Sequence, residues 1–344
     1  MLPQFNKIKG YRPDFRNVLI TPQKSYLKSR KDVNLNTNFT FKTPGGEVKW
    51  SGVPIISSNM DTVSNVRTCE ILRQNNYLTC FPKHFNKEFD NYLYPDELHC
   101  VENYMLSCGT NDYQNAVSLI DRLCYDNIKV KFLCVDIANG YLQQLQDTCK
   151  YLRNKFPDMV LAAGNVVTPE IVDELISECG VNIVKVGIGS GSVCETRLKT
   201  GIGYPQLGAV IECAWAAETA GGYIISDGGV SSPSDICKAF AGGADFVMVG
   251  GMFAGHEESP GDTIIENDER YKLCYGMSSK EANEKYNGGM KDYRTSEGKV
   301  KKIKMKGSLE ETIKDINGGI RSACTYVNAR NLRELSENAE FTLN

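Results

Sequence analysis

Three glycines alternate through Gly187-Ile188-Gly189-Ser190-Gly191-Ser192-Val193, and the next residues are Cys194, Glu195, Thr196 and Arg197. Glycine removes the Cβ that would keep backbone N–H groups away from an anion, so this loop has phosphate-binding chemistry. A cysteine among turned-in amides and beside an arginine is favoured as the thiolate, the nucleophilic form. Two more loops share the character. Asp227-Gly228-Gly229 offers a carboxylate to ribose hydroxyls, and Gly250-Gly251 offers bare amides to a phosphate. Tight turning explains each glycine pair taken singly, whereas three such loops together point to a nucleotide. The chain has thirteen cysteines, scattered and without a Cys-x-x-Cys pair, and packing is the ordinary reading for most of them. His84, His99 and His256 are not spaced as paired ligands, so no zinc site is expected.

Loops this far apart in sequence need a scaffold that gathers them. Short apolar runs recur at 54–57, 77–81, 104–108, 132–137, 160–163, 183–188, 223–226 and 246–249. Between them lie stretches with helical spacing, such as Ala116-Val117-Leu119-Ile120-Leu123, Leu142-Leu145-Cys149-Leu152 and Ile171-Val172-Leu175-Ile176. Thr168-Pro169 and Ser232-Pro233 read as N-caps with proline at the first helical position. Eight buried strands, each returning through a helix, describe an α/β (β/α)8 TIM barrel. A doubly wound sheet is the rival. Active sites of barrels gather at the carboxyl ends of the strands, which makes Asn59, Lys83, Thr110, Asp136, Asn165, Cys194, Asp227 and Gly250-Gly251 the candidates. For Asp136 an N-cap or internal salt bridge stays open, and for Lys83 a solvated surface charge.

The remaining length forms an N-terminal extension of about fifty residues and an insertion at 252–307 after strand eight, read as a lid within a single domain spanning 1–344. That insertion carries Tyr293-Arg294-Thr295-Ser296-Glu297-Gly298. Glu297 serves as an acid or base if the lid folds over the mouth, although an exposed glutamate in a mobile loop is the commoner case. Residues 299–306 read as a solvated flap strand. Net charge is -3, with 41% hydrophobic and 24% charged residues and no basic block. A small-molecule substrate is therefore expected, with no nucleic-acid partner. Residues 1–7 lack an apolar signal core, and no apolar run approaches the roughly 18 residues of a membrane span. A cytoplasmic protein without membrane contact is the expectation.

Leu27-Lys28-Ser29-Arg30, Asn59-Met60-Asp61-Thr62-Val63, Asp136-Ile137-Ala138-Asn139-Gly140, Ala163-Gly164-Asn165-Val166, the stretch 185–205, Ser226-Asp227-Gly228-Gly229, Tyr275-Gly276-Met277-Ser278 and Gly318-Gly319-Ile320-Arg321-Ser322 together resemble the IMP dehydrogenase and GMP reductase family over nearly the whole chain. The short interval 82–103 implies that the regulatory (CBS) domain pair of the dehydrogenases is absent. Arg197, the 294–298 segment and Ser322-Ala323-Cys324-Thr325-Tyr326 look like the reductases, and the dehydrogenase flap's Arg-Tyr pair is missing after Gly276. Ser190, often proline, and Glu195, often threonine, depart from the reductase pattern.

The resemblance implies NADPH-dependent reductive deamination of GMP to IMP and ammonia. Cys194 would form a covalent purine thioimidate, and Thr196 with Glu297 would relay protons. It assigns Ser192, Asp227, Gly228, Gly229, Gly250, Gly251, Gly276, Met277, Ser278, Arg294, Thr295, Ser296 and Gly298 to the nucleotide. To NADPH it assigns Ser29, Arg30, Lys83, Asp136, Ile137, Ala138, Ile188, Gly189, Met277, Tyr293, Ser322, Ala323, Cys324 and Thr325. Carbonyls of Gly189, Gly191, Cys194 and Arg197 would hold a monovalent cation such as K+, and the implied assembly is a homotetramer. No strand-linked Gly-x-Gly-x-x-Gly start is present, so the dinucleotide would lie across the barrel mouth.

Overall fold

The computed structural model describes residues 10–85, 103–293 and 295–344. Three strands precede the barrel: β1 (Val18–Ile20), which pairs with the C-terminal segment Phe341–Leu343, and the hairpin β2 (Thr37–Thr43) and β3 (Gly46–Gly52). The barrel strands follow as β4 (Ile55–Ser57), β5 (Leu78–Cys80), β6 (Tyr104–Cys108), β7 (Phe132–Asp136), β8 (Val160–Val166), β9 (Ile183–Val186), β10 (Tyr223–Asp227) and β11 (Phe246–Val249). All pair in parallel, and β11 pairs with β4 through Val247 and Ile55, which closes the cylinder and rules out the doubly wound sheet. Each of the eight apolar runs in the sequence is one of these strands. β9 ends at Val186 rather than 188 because Gly187 takes φ +150° and crosses the end of β10. A Cβ there would lie 1.8 Å from the Asp227 carbonyl oxygen.

The strands alternate side chains between two cores. Outward residues pack under the helices, while Ile56, Leu78, Cys80, Met105, Phe132, Cys134, Val160, Ala162, Ile183, Ile225, Phe246 and Met248 fill the cylinder. Phe39, Phe41 and Trp50 of the hairpin join this inner core and plug it. Phe41 meets Phe132 edge-on at 5.8 Å, and Phe39 stacks on Phe246 at 4.4 Å. Phe41→Ala should therefore destabilise the protein by about 3–5 kcal/mol. A urea titration should show this as a lower midpoint with an unchanged slope.

The helical spacings correspond to helices Tyr113–Tyr125, Gln143–Lys155 and Pro169–Ser177. One cap differs from expectation. Thr168 occupies the N-cap position without capping, because its hydroxyl pairs with that of Tyr141 at 3.0 Å. At Ser232 the Asp235 carboxylate reaches back to the amides of Ser231 and Ser232. The insertion folds as a three-stranded antiparallel sheet, β12 (Thr263–Glu266), β13 (Glu269–Tyr275) and β14 (Val300–Lys304), with helix Lys280–Asn287 between the last two. The expected flap strand is β14, whose Lys302 and Lys304 pair with Glu266 and Glu269. The last barrel helix, Leu309–Tyr326, then leads to Leu332–Asn338 and β15 (Phe341–Leu343). Of the twelve described cysteines, ten are buried, Cys124 is exposed and Cys194 is half-buried. No helix among the described residues is long and apolar enough to cross a membrane.

Candidate active site

Cys194 follows the turn in which its own amide donates to the Gly191 carbonyl at 3.0 Å. Its thiol points to the Thr196 hydroxyl at 3.3 Å, and that hydroxyl donates to Oε2 of Glu297 at 2.7 Å. Thiol, hydroxyl and carboxylate thus form one line, although Thr196 and Glu297 lie 101 residues apart. The insertion makes this possible by pairing with the loop that carries Cys194. The Glu195 amide donates to the Glu297 carbonyl at 2.6 Å, and the Lys299 amide to the Val193 carbonyl at 3.0 Å. Gly298 bridges Cys194 on one side and Ser279 on the other, where a Cβ would lie 2.9 Å from the Ser279 nitrogen. Glu297 is therefore docked at the mouth, not in the free loop that is commoner for such a glutamate.

Asp61, on the loop after β4, ties the insertion to the barrel. Its Oδ2 accepts from the hydroxyls of Tyr275 (2.8 Å) and Tyr286 (2.6 Å) and from the Lys285 ammonium (3.3 Å). His84 stacks on Tyr286 with ring centroids 3.7 Å apart. Arg197 departs from the sequence reading: its guanidinium pairs with Asp14 at 3.1 Å and with the Tyr204 carbonyl, so its charge is committed there and not to the thiol. Glu195 leans toward Lys199 at 3.9 Å. Ser190 donates to Gln206 at 2.7 Å and its carbonyl accepts from the Gly229 amide, so hydrogen bonds fix the turn.

The second cluster is the uppermost inward layer of the barrel. Register aligns Asp136 with Gly164 and Gly164 with Lys185. Gly164 carries no side chain, so the Lys185 ammonium passes over it to Asp136 Oδ1 at 3.0 Å and reaches Asp227 Oδ2 at 2.9 Å. Asn59 donates to Asp136 at 2.6 Å, and Asn165 to Asp227 at 2.8 Å. Burial works against charge here, but the two carboxylates prevail and raise the Lys185 ammonium well above its usual range. Burial likewise opposes ionisation of Asp136, and Lys185 and Asn59 override it to lower that carboxyl. The internal salt bridge left open for Asp136 is thus present. Lys83 pairs with Asp112 at 3.4 Å and is not simply solvated.

The other candidates fall into groups. Ser192 faces Gly251, where a Cβ would lie 3.0 Å from the serine oxygen. Gly250 continues that loop, and Gly228 and Gly229 sit against Ser190 and Gln206. Gly276 approaches Val193 and Gly298, Met277 is half-buried beside it, and the Ser278 carbonyl accepts from the Glu297 amide at 3.3 Å. Ser296 donates to the Gly298 carbonyl, while Thr295 and Tyr293 are exposed. Arg294 lies outside the described residues, as do His99 and most of 82–103.

Ile188 is buried, Ile137 is half-buried and Ala138 exposed at the strand ends. Ser29 caps the turn Arg30–Asp32, which lies against helix Leu309–Tyr326 carrying Ser322, Ala323, Cys324 and Thr325. The hydrogen bonds of this group stay local, and the Cys324 thiol turns into the core, where burial pushes its pKa up to about 12. Of the candidate cation-binding carbonyls, that of Gly191 accepts from Cys194 and that of Arg197 from Gly201. Each keeps a second lone pair.

Two members of the site lay outside the sequence assignments, Lys185 and Asp61, whereas Asn59 was a candidate and is placed here as a partner of both Asp136 and Lys185. The signal for Lys185 was a charge inside the apolar run Ile183-Val184-Lys185-Val186, since a lysine in a strand buried on both faces must be paired.

The chain matches the family model described as IMP dehydrogenase / GMP reductase domain over residues 13–344. It is 48% identical over 336 residues to proteins named GMP reductase from Yersinia enterocolitica, Yersinia pestis and Yersinia pseudotuberculosis. Each alignment covers 97% of this chain and 95% of the relative.

Proposed function

The chain belongs to the IMP dehydrogenase / GMP reductase family, and from that premise we propose that it reductively deaminates GMP to IMP and ammonia with NADPH. The observation that carries this reading is the hydrogen-bonded line from Cys194 through Thr196 to Glu297. Such a line takes the proton from the thiol as sulfur adds to purine C2. It then returns that proton to the departing amine, so nitrogen leaves as ammonia and not as the far poorer amide ion. The C2–N bond breaks, the C–S bond persists as a thioimidate on Cys194, and the atoms balance without water. NADPH supplies the hydride that replaces sulfur at C2. The thiolate then regains a proton that enters from solvent and passes inward through Glu297 and Thr196.

Around that centre, Ser192 with Gly250 and Gly251 holds the phosphate, and Asp227 with Gly228 and Gly229 the ribose. Gly276, Met277 and Ser278 together with 294–298 hold the base. Asp227 Oδ2 is already engaged by Lys185 and Asn165, which leaves Oδ1 for ribose hydroxyls. The dinucleotide is held at the mouth by Lys83, Asp136, Ile137, Ala138, Ile188, Gly189, Met277 and Tyr293. The half-exposed Lys83 ammonium, close enough to act on Asp136, suits an anionic cofactor. Ser29, Arg30 and 322–325 form the other half of its contact set. The carbonyl oxygens of Gly189, Gly191, Cys194 and Arg197 are hard donors that suit a monovalent cation. The working unit is one barrel with 252–307 as its lid, assembled as a cytoplasmic homotetramer.

Purified protein should oxidise NADPH only when GMP is added and should release ammonia in equal amount. Activity on IMP with NAD, and none on GMP, would instead make it a dehydrogenase. Light scattering on the same preparation should give four chains of 38.2 kDa each.

A further inference from the structure

Lys185 is the most deeply placed charge of the site, and the chemistry above does not use it. Its residue is 2% exposed, whereas the Asp136 and Asp227 side chains are 27% and 20% exposed and see the mouth. An ammonium has three protons. Three oxygens surround this one: Asp136 Oδ1 at 3.0 Å, Asp227 Oδ2 at 2.9 Å and Asn59 Oδ1 at 3.4 Å, with Met248 Sδ behind at 3.8 Å. No proton is left for a ligand, so whatever Lys185 does, it does through the two carboxylates.

We propose that Lys185 is a positioning residue that keeps the nucleotide carboxylate Asp227 and the cofactor carboxylate Asp136 ionised side by side. This rests on the ligand assignments of the proposed function. Two carboxylates converging on one nitrogen repel each other once that nitrogen is gone, and such pairs share a proton, with one pKa strongly raised. A protonated Asp227 becomes a donor and accepts ribose hydroxyls poorly. The other groups facing the pair leave this logic standing. Lys83 acts on Asp136 alone, from the loop after β5, and the thiols of Cys80 and Cys134 lie below, with burial pushing that of Cys80 well up and keeping it neutral.

The test compares wild type, Lys185→Met, Lys185→Arg and the double variant Lys185→Met/Asp136→Asn. The first readout is melting temperature against pH without ligand. In Lys185→Met a carboxyl has a folded-state pKa raised above its unfolded value. The associated stability is present at low pH and lost as pH rises through the raised value. Relative to wild type, the Lys185→Met melting temperature should therefore fall between about pH 5 and about pH 8. Lys185→Arg, which retains a cation, and the double variant, which removes one of the two anions, should show no such fall.

The second readout is GMP affinity by calorimetry. At about pH 6, where the raised carboxyl still holds its proton, Lys185→Met should bind at least about tenfold more weakly than the double variant, the equivalent of one unit of carboxyl shift. Folding of the double variant but not of Lys185→Met is the same relief of repulsion and supports the proposal. Parallel pH profiles with equal GMP affinities, or failure of both variants to fold, would assign the lysine to packing and overturn it. The melting readout needs no ligand, so a wild type inactive on GMP would overturn the proposed reaction and leave the ionisation result standing.

Discussion

Cys194→Ala should lower GMP-dependent NADPH oxidation by roughly 10,000-fold or more while leaving GMP binding within a few-fold of wild type. The alanine removes the only atom that bonds to C2, and apart from Ser192 on the same loop the groups assigned to phosphate and ribose lie on other loops. Gly251 faces Ser192, and Asp227 is held by Lys185 and Asn165. Uniform binding therefore survives while the covalent route is lost. Mass spectrometry of the wild type during turnover should find the purine on Cys194 and on none of the buried cysteines. Ten of the described thiols are buried, and the thiolate is the nucleophilic form. A barrel that merely binds purine nucleotides gives the opposite pattern, with no turnover in the intact protein and no adduct. Cys194→Ala activity within about tenfold of wild type would remove the covalent mechanism.

The barrel was legible because its strands are buried on both faces, so each one is a short apolar run that composition alone marks out. Cys194 was legible because glycines alternate immediately before it. Lys185 was not, because its charge lies inside an apolar run and not at the end of one. Its partners become evident only when closure and register set Asp136, Gly164 and Lys185 in a single layer. Arg197 was misread for a related reason. Adjacency in sequence suggested adjacency to the thiol, but Asp14, in the segment before the barrel, draws the guanidinium away. Asp61 illustrates a third limit. Its donors Tyr275, Lys285 and Tyr286 sit more than two hundred residues away in the lid, and periodicity carries no information about pairings at that range.

Glu297 shares that limit, and its substitution is the sharper test of the chemistry. Glu297→Gln keeps the length and an oxygen able to accept from Thr196, so the lid contacts through the Glu297 carbonyl and the Lys299 amide need not change. What it removes is a group able to take a proton and return it. The turnover number should fall by about 100- to 10,000-fold, with little change in the KM for GMP. Thr196→Ala should cut the same line at its middle, between a 3.3 Å and a 2.7 Å hydrogen bond. Because the proton must cross both bonds, the double variant Thr196→Ala/Glu297→Gln should be about as slow as the worse single variant, and not slower by the product of the two losses. Multiplying losses would mean that the two residues act independently, with Glu297 serving only to hold the lid. A rise in KM with an unchanged turnover number would likewise place Glu297 in ground-state binding. Neither pattern is compatible with a relay in which the thiol's own proton leaves on nitrogen.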